Sequence, residues 1–269
     1  MPSTAAPCPA SADTSSQLRP LFRMASGLEL LLASASPRRR QFLHEWGIPF
    51  RLALTSAEEP RPEPGESPEA YTRRAAMAKA LASGNAVYQQ CAAAGEWATG
   101  EQAAGNQSLQ PVILAADTVV AVDGDILGKP ENPAHAMRMI ERLNGRGHEV
   151  ISAVCLLLPA DAADATGPMA AAAAGPVARP AIEESLSGPF RMLTFSDTSR
   201  VFFHRWPQPV LQAYADTGEP HDKAGAYAIQ GQGAVLVERV DGSWSTVVGL
   251  PVTQLAQVML DKGLMLPCA

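Results

Sequence analysis

Apolar residues along this chain fall either into short unbroken runs or into stripes of helical spacing, and the two kinds alternate. The run Leu28 to Ser34 is a compact apolar strand, and Ser36 followed by Pro37 supplies an N-cap and a first helical position. A helix is predicted from Pro37 to about Trp46, with Phe42, Leu43 and Trp46 sharing a face and Arg38, Arg39 and Arg40 crowding the first turn. Cations at that end oppose the helix dipole and cost about a few tenths of a kcal/mol unless an anion compensates. A proline-rich loop, Pro60 to Pro68, precedes a helix predicted from about Pro68 to Ser83 that carries Lys79. In PVILAADTVVAVDGDILGKP, VILAA is a buried strand, VVAV runs on to a hairpin closed at Asp123 and Gly124, and Asp117 is placed at a strand end. Asn132 and Pro133 start a helix with Met137, Ile140 and Leu143 on one side, ending near Gly145, and HEVISAVCLLL follows as a strand. RMLTFSDTSRVFF reads as a strand, Val210 to Tyr214 as a short helix, AVLVERVDGSWSTVV as a hairpin with a DG turn, and Pro251 to Lys262 as a closing helix. Strands alternating with helices define an α/β fold.

The pattern lapses in three places. Residues 1–27 are rich in Ser, Ala and Pro and are expected to be a disordered N-terminal extension, with Met24 as an alternative start. Residues of about 84–110 and 159–189 are rich in Ala and Gly and read as mobile surface insertions. A single domain therefore spans 28–262, with 263–269 as a tail.

Composition narrows the function classes. The 269 residues are 46% hydrophobic and 18% charged, which suits a globular chain, and the net charge of −6 argues against broad binding to a nucleic acid polymer. A small anion can still be held by a local basic cluster. Cys8, Cys91, Cys155 and Cys268 lie far apart without a CxxC pair, so neither a disulfide framework nor a zinc knuckle is indicated. His44, His135, His148, His204 and His221 show no metal-ligand spacing. No apolar stretch is long enough for a membrane span, and a cytoplasmic protein is expected.

Two features carry chemistry. Ser34, Ser36 and the arginines beside one helix start place hydroxyls, backbone N–H groups and guanidinium groups where phosphate oxygens are bound well. Asp117, following a buried run, is positioned either to activate water or to hold a metal ion, and the pattern leaves these two roles open.

Three blocks, LLASASPRRRQFL, AADTVVAVDGDILGKP and EPHDKAGAYAIQGQGAVLVERVDGSWSTVVGLP, occur in this order, and together they resemble the Maf family of nucleotide pyrophosphatases. The resemblance implies a mixed, elongated, twisted sheet flanked by helices, two lobes with a cleft between them, a divalent cation (Mg²⁺ or Mn²⁺) and a homodimer. It implies an enzyme that cleaves a nucleoside triphosphate to the monophosphate and pyrophosphate, as house-cleaning of nucleotide pools. By position, Ser34, Ser36, Arg38 and Arg39 grip the triphosphate, Lys79, Lys129 and Lys223 neutralise phosphate charge, Asp117 is the proton acceptor, and Glu58 joins Asp117 at the metal, the adjacent Glu59 leaving that register open by one residue. Arg38, Thr118 and Gln230 occupy the family's specificity positions and resemble the branch acting on dTTP and UTP rather than the 7-methyl-GTP branch. A Gln amide both donates and accepts, as reading a thymine or uracil edge requires. Two other readings stay open: a pyrophosphatase for another non-standard nucleotide, and a non-catalytic nucleotide-binding regulator of septum formation. Ala228, Trp244 and Thr246 depart from the family's usual residues, at positions not expected to touch the chemistry.

Overall fold

A computed structural model describes residues 19–56, 59–94, 109–160 and 179–268. Its strands are β1 (Phe22–Met24), β2 (Leu28–Leu32), β3 (Phe50–Leu52), β4 (Gln110–Val122), β5 (Asp125–Leu127), β6 (Gly147–Pro159), β7 (Glu183–Ser187), β8 (Phe190–Phe203), β9 (Val237–Asp241) and β10 (Met265–Pro267). Its α-helices are α1 (Pro37–Trp46), α2 (Pro68–Ala94), α3 (Pro133–Leu143), α4 (Gln208–Ala215), α5 (Trp244–Val248) and α6 (Val252–Asp261). The main sheet runs β3-β2-β4-β6-β8-β7, with β5 added to β4 and β9 to β8. β2 is parallel to β3 and β4, and the remaining pairs are antiparallel, which makes the sheet mixed. No helix among the described residues is long and apolar enough to cross a membrane.

Alternation along the three long strands sorts side chains between two faces. One face of β4 and β6 offers Ile113, Ala115, Ala153, Cys155 and Leu157 to α2, whose Ala76 and Ala80 are fully buried against them. The other face holds two separate cores. In the first, Leu114, Val154 and Leu156 pack under Phe42 and Leu43 of α1 and Leu255 and Met259 of α6. In the second, Val120, Val122, Val150 and Val201 pack under Ile140 and Leu143 of α3 and Leu211 of α4. Each fully buried branched side chain contributes about 1.5–3 kcal/mol, so both lobes are anchored on the same strands. Between them the paired residues Thr118 and Ser152 put hydroxyls where the strands otherwise carry apolar groups.

Pairing leaves a notch at the same level. β2 accompanies β4 only from Gln110 to Leu114, with Ala33 N–H donating to the Leu114 carbonyl as the last bond of that ladder, while β5 joins β4 only at Val120–Val122. On its other side β4 is paired with β6 from Ile113 to Ala121. Asp117 therefore sits mid-strand, opposite a gap in the neighbouring strand, and not at a strand end as the sequence pattern suggested. The continuous β6 ladder carries β4 past the polar residues that looked like a stop.

Four other expectations are corrected. The second helix does not end at Ser83 but runs to Ala94, because Gly84 is a packing contact and not a break: a Cβ there would meet Leu157 Cδ2 at 2.2 Å. The first insertion is shortened accordingly, and the second loses its last part to β7, which pairs with β8. The N-terminal extension and the C-terminal tail pair with each other, β1 with β10, and Phe22 stacks edge-on against Trp46 at 5.5 Å. Residues 1–18, most of both insertions and Ala269 lie outside the described residues. The DG turn at Asp241 and Gly242 leads not into a second strand but into α5, since Ser243 caps the helix by accepting the Thr246 N–H, and β9 pairs with β8 instead. The hairpin at Asp123 and Gly124 forms as predicted, both residues having positive φ.

Candidate active site

The notch in β4 opens into a cavity of about 610 Å³, within the range of small-molecule sites. Its lining brings together Ser34, Ser36, Arg38, Arg39, Lys79, Asp117, Thr118, Lys129, Lys223 and Gln230. Glu58 lies outside the described residues; its neighbour Glu59 is in the lining.

Asp117 is 5% exposed on the α2 face of β4, where Lys79 reaches it. The Lys79 ammonium donates to Asp117 Oδ1 and, at 3.2 Å, to Glu59 Oε1. Asp117 Oδ2 is buried and has no hydrogen-bond partner among the described residues. A buried carboxylate oxygen with no partner costs free energy unless water, a cation or a ligand donor meets it. Ser83 of α2 donates to the Ala53 carbonyl at 2.8 Å, tying the segment that leads to Glu59 onto the helix that carries Lys79.

The β2–α1 turn forms the second wall. Ser36 occupies the N-cap of α1, yet its hydroxyl makes no capping bond, so the first-turn N–H groups keep their capacity for an anion. The Ser36 N–H donates instead to Ser34 Oγ at 3.3 Å. Arg38 presents a buried Nε without a partner among the described residues. Arg39 turns inward and donates to the Gly249 and Ala116 carbonyls (2.8 and 2.9 Å) and to the Ser34 and Thr118 hydroxyls (3.0 Å each). Burial pulls its guanidinium below the usual arginine value, while Asp117 and Glu59 pull it back up.

The third wall is the turn of 3-10 helix after α4. Lys223 pairs with its neighbour Asp222, whose carboxyl is held below the usual range by that bond. Lys129 is exposed at the rim and makes no ion pair with any described residue. Tyr227 and Ala228 are buried in the wall, and Gln230 follows them half-buried. Behind Tyr227, the His148 ring nitrogen Nε2 lies 2.8 Å from the tyrosine hydroxyl. Burial pushes His148 down to about 4 and raises the Tyr227 hydroxyl, so both are neutral at pH 7.

Several participants had not been singled out from the sequence. Ser152 bonds Thr118 Oγ1 at 2.8 Å and donates to the Thr246 carbonyl at 2.7 Å, and Thr246 Oγ1 donates to Asp197 at 2.5 Å. Ser152 was findable as a hydroxyl inside the apolar run HEVISAVCLLL; the Gly249 and Ala116 carbonyls had no signal at all. Of the departures noted above, Ala228 lines the cavity and the Thr246 carbonyl lies three hydrogen bonds from Arg39.

A profile of the Maf-like protein family matches residues 29–262. The chain belongs to the Maf family. Its relatives include the dTTP/UTP pyrophosphatase of Oleidesulfovibrio alaskensis, 42% identical over 238 residues that cover 88% of this chain and 87% of that protein. The dTTP/UTP pyrophosphatase of Nitratidesulfovibrio vulgaris is 40% identical, covering 87% and 88%, and that of Methylococcus capsulatus is 37% identical, covering 89% and 94%. The match spans both lobes and every described residue of the Maf cavity.

Proposed function

We propose that this chain hydrolyses dTTP and UTP between the α and β phosphates, releasing the monophosphate and pyrophosphate. The observation that carries this reading is the buried Asp117 carboxylate, one oxygen of which has no partner among the described residues, in the lining of a cavity edged by Arg38, Lys79, Lys129 and Lys223, in a Maf-family chain whose relatives bear that name. Phosphoryl transfer needs little covalent help from protein; it needs alignment and cations around developing charge.

In this reading the open first turn of α1, Ser36 and Arg38 hold the phosphate chain, and Lys129 and Lys223 add their charge from the rest of the lining. Asp117 orients the attacking water toward the α phosphorus and accepts its proton at Oδ2, the oxygen Lys79 leaves open. Lys79 fixes the carboxylate through Oδ1, so the open oxygen has one direction. Gln230 reads the base edge. A divalent cation fits the donor set: the Asp117 and Glu59 carboxylates would supply hard oxygen ligands, and such ions take one or two carboxylates and complete their shell with phosphate oxygens and water. Bound there, Mg²⁺ or Mn²⁺ neutralises phosphate charge. The homodimer implied by the resemblance belongs to the same reading, and its check is the molar mass by light scattering.

The test is a panel of nucleoside triphosphates with Mg²⁺ or Mn²⁺, scored for monophosphate plus pyrophosphate against diphosphate plus phosphate. Preference for dTTP and UTP with pyrophosphate release is expected. Orthophosphate release, binding without turnover, or preference for a methylated purine nucleotide would each overturn it.

A further inference from the structure

Arg38 and Arg39 are adjacent and chemically identical, yet their surroundings differ completely. A guanidinium offers five N–H donors. Four of those of Arg39 are already committed: Nε–H to the Gly249 carbonyl at 2.8 Å, Nη1 to Ser34 Oγ at 3.0 Å and the Ala116 carbonyl at 2.9 Å, and Nη2 to Thr118 Oγ1 at 3.0 Å. Little donor capacity is left for phosphate. Among the described residues Arg38 makes no such bonds and keeps a buried Nε without a partner.

The acceptors explain why the bonds exist. Carbonyls two residues apart on a strand point the same way, and the last β2–β4 ladder bond ends on the Leu114 carbonyl. The Ala116 carbonyl thus faces the side from which β2 has gone, and Arg39 Nη1 supplies the donor that the missing strand would have given. Ala116 and Thr118 flank Asp117 directly, so the guanidinium grips the strand on both sides of the carboxylate. It also ties that grip to Ser34 in the phosphate-facing turn and to Gly249 between α5 and α6. The distance between the carboxylate and the α1 turn is set through one side chain.

We propose that Arg39 is a positioning residue that fixes Asp117 relative to the phosphate-holding turn, and that of the two arginines only Arg38 meets the substrate. Thr118 belongs to the same device: its hydroxyl accepts from Arg39 and is itself held by Ser152 at 2.8 Å. This rests on reading the cavity as a triphosphate site, and wild-type turnover of dTTP in the same assay tests that reading separately.

The experiment compares Arg39→Lys with Arg38→Lys in kcat and KM for dTTP, and in Kd for α,β-methylene-dTTP by calorimetry. Lysine keeps the charge but cannot span four acceptors in one plane. For Arg39→Lys, kcat should fall about a hundredfold while Kd stays within about threefold; for Arg38→Lys, Kd should rise about tenfold or more. An Arg39→Lys enzyme that binds the analogue ten times more weakly with kcat retained would make Arg39 a ligand and overturn the proposal. An enzyme with lowered stability but unchanged kcat and Kd would reduce Arg39 to a structural residue and overturn it equally. Should Arg39→Lys fail to fold, the wild-type protein decides. In arginine Nε–H NMR spectra, with the Arg38 signal assigned from Arg38→Lys, adding the analogue should move the Arg38 resonance and leave the slowly exchanging Arg39 resonance in place. Movement of Arg39 and not of Arg38 refutes the assignment.

Discussion

His148 gives a stability prediction whose size follows from its surroundings. It is 2% exposed on β6, between Phe203 (ring centroids 4.9 Å apart) and Tyr227 (5.3 Å), and among the described residues no charged group offsets its burial. Burial lowers its pKa from 6.5 to about 4. Between those values the unfolded chain takes up a proton that the folded chain refuses, so stability falls as the pH falls and is intact above the unfolded value. Fully expressed, the gap amounts to about 3.4 kcal/mol, of which about 2 kcal/mol is lost between about pH 7.5 and pH 5. His148→Gln keeps a neutral partner for the Tyr227 hydroxyl and removes the titration. Urea unfolding of both proteins at the two pH values isolates the effect, because other titrating groups cancel in the difference. The wild type should lose about 2 kcal/mol more than the variant on acidification. Equal losses would mean that the imidazole charges inside the fold without penalty, and the account of Tyr227 as a cavity wall backed by a neutral histidine would be wrong.

The other predictions concern the site and its supports. Asp117→Asn, isosteric but unable to accept the proton, should lower kcat by about 10²–10⁴-fold with an unchanged circular dichroism spectrum, measured by pyrophosphate release. Gln230→Leu should lower kcat/KM for dTTP and UTP by about 10-fold or more while leaving the thermal midpoint in place; retained preference would remove Gln230 from base recognition. Gly84→Val should destabilise the fold by roughly 1–3 kcal/mol in urea titration, because the new carbon collides with Leu157 where α2 crosses β6. A chain beginning at Met24 loses Phe22 from the β1–β10 pair and its contact with Trp46, and should melt several degrees lower, at a cost of about 1–2 kcal/mol.

What the sequence disclosed and what it hid divide along a physical line. Period and turn chemistry read burial and local backbone, so α1, α3, β6, β8 and the Asp123–Gly124 hairpin were legible. Pairing partners were not. Asp117 read as a strand end because its own segment turns polar, whereas the strand persists through its ladder with β6 from Ile113 to Ala121. The second helix read as ending at Ser83 because an Ala- and Gly-rich stretch follows, and only the closeness of Leu157 shows that the glycine at 84 belongs inside the helix. The termini looked empty because three-residue strands carry no periodicity, and each acquires its partner from the far end of the chain.

The two arginines show how much further the residues could have been pressed. Consecutive helical positions point about 100° apart, so Arg38 and Arg39 cannot present themselves alike to one ligand. Position 39 stands three, four and seven residues before Phe42, Leu43 and Trp46, the apolar stripe of α1. An arginine in that stripe must be turned toward protein and must find acceptors there, and the gap in the strand beside Asp117 provides them. Spacing alone thus indicates which arginine faces inward. The identity of its acceptors, two of them backbone carbonyls, is set by where β2 stops and by where the turn between α5 and α6 brings Gly249.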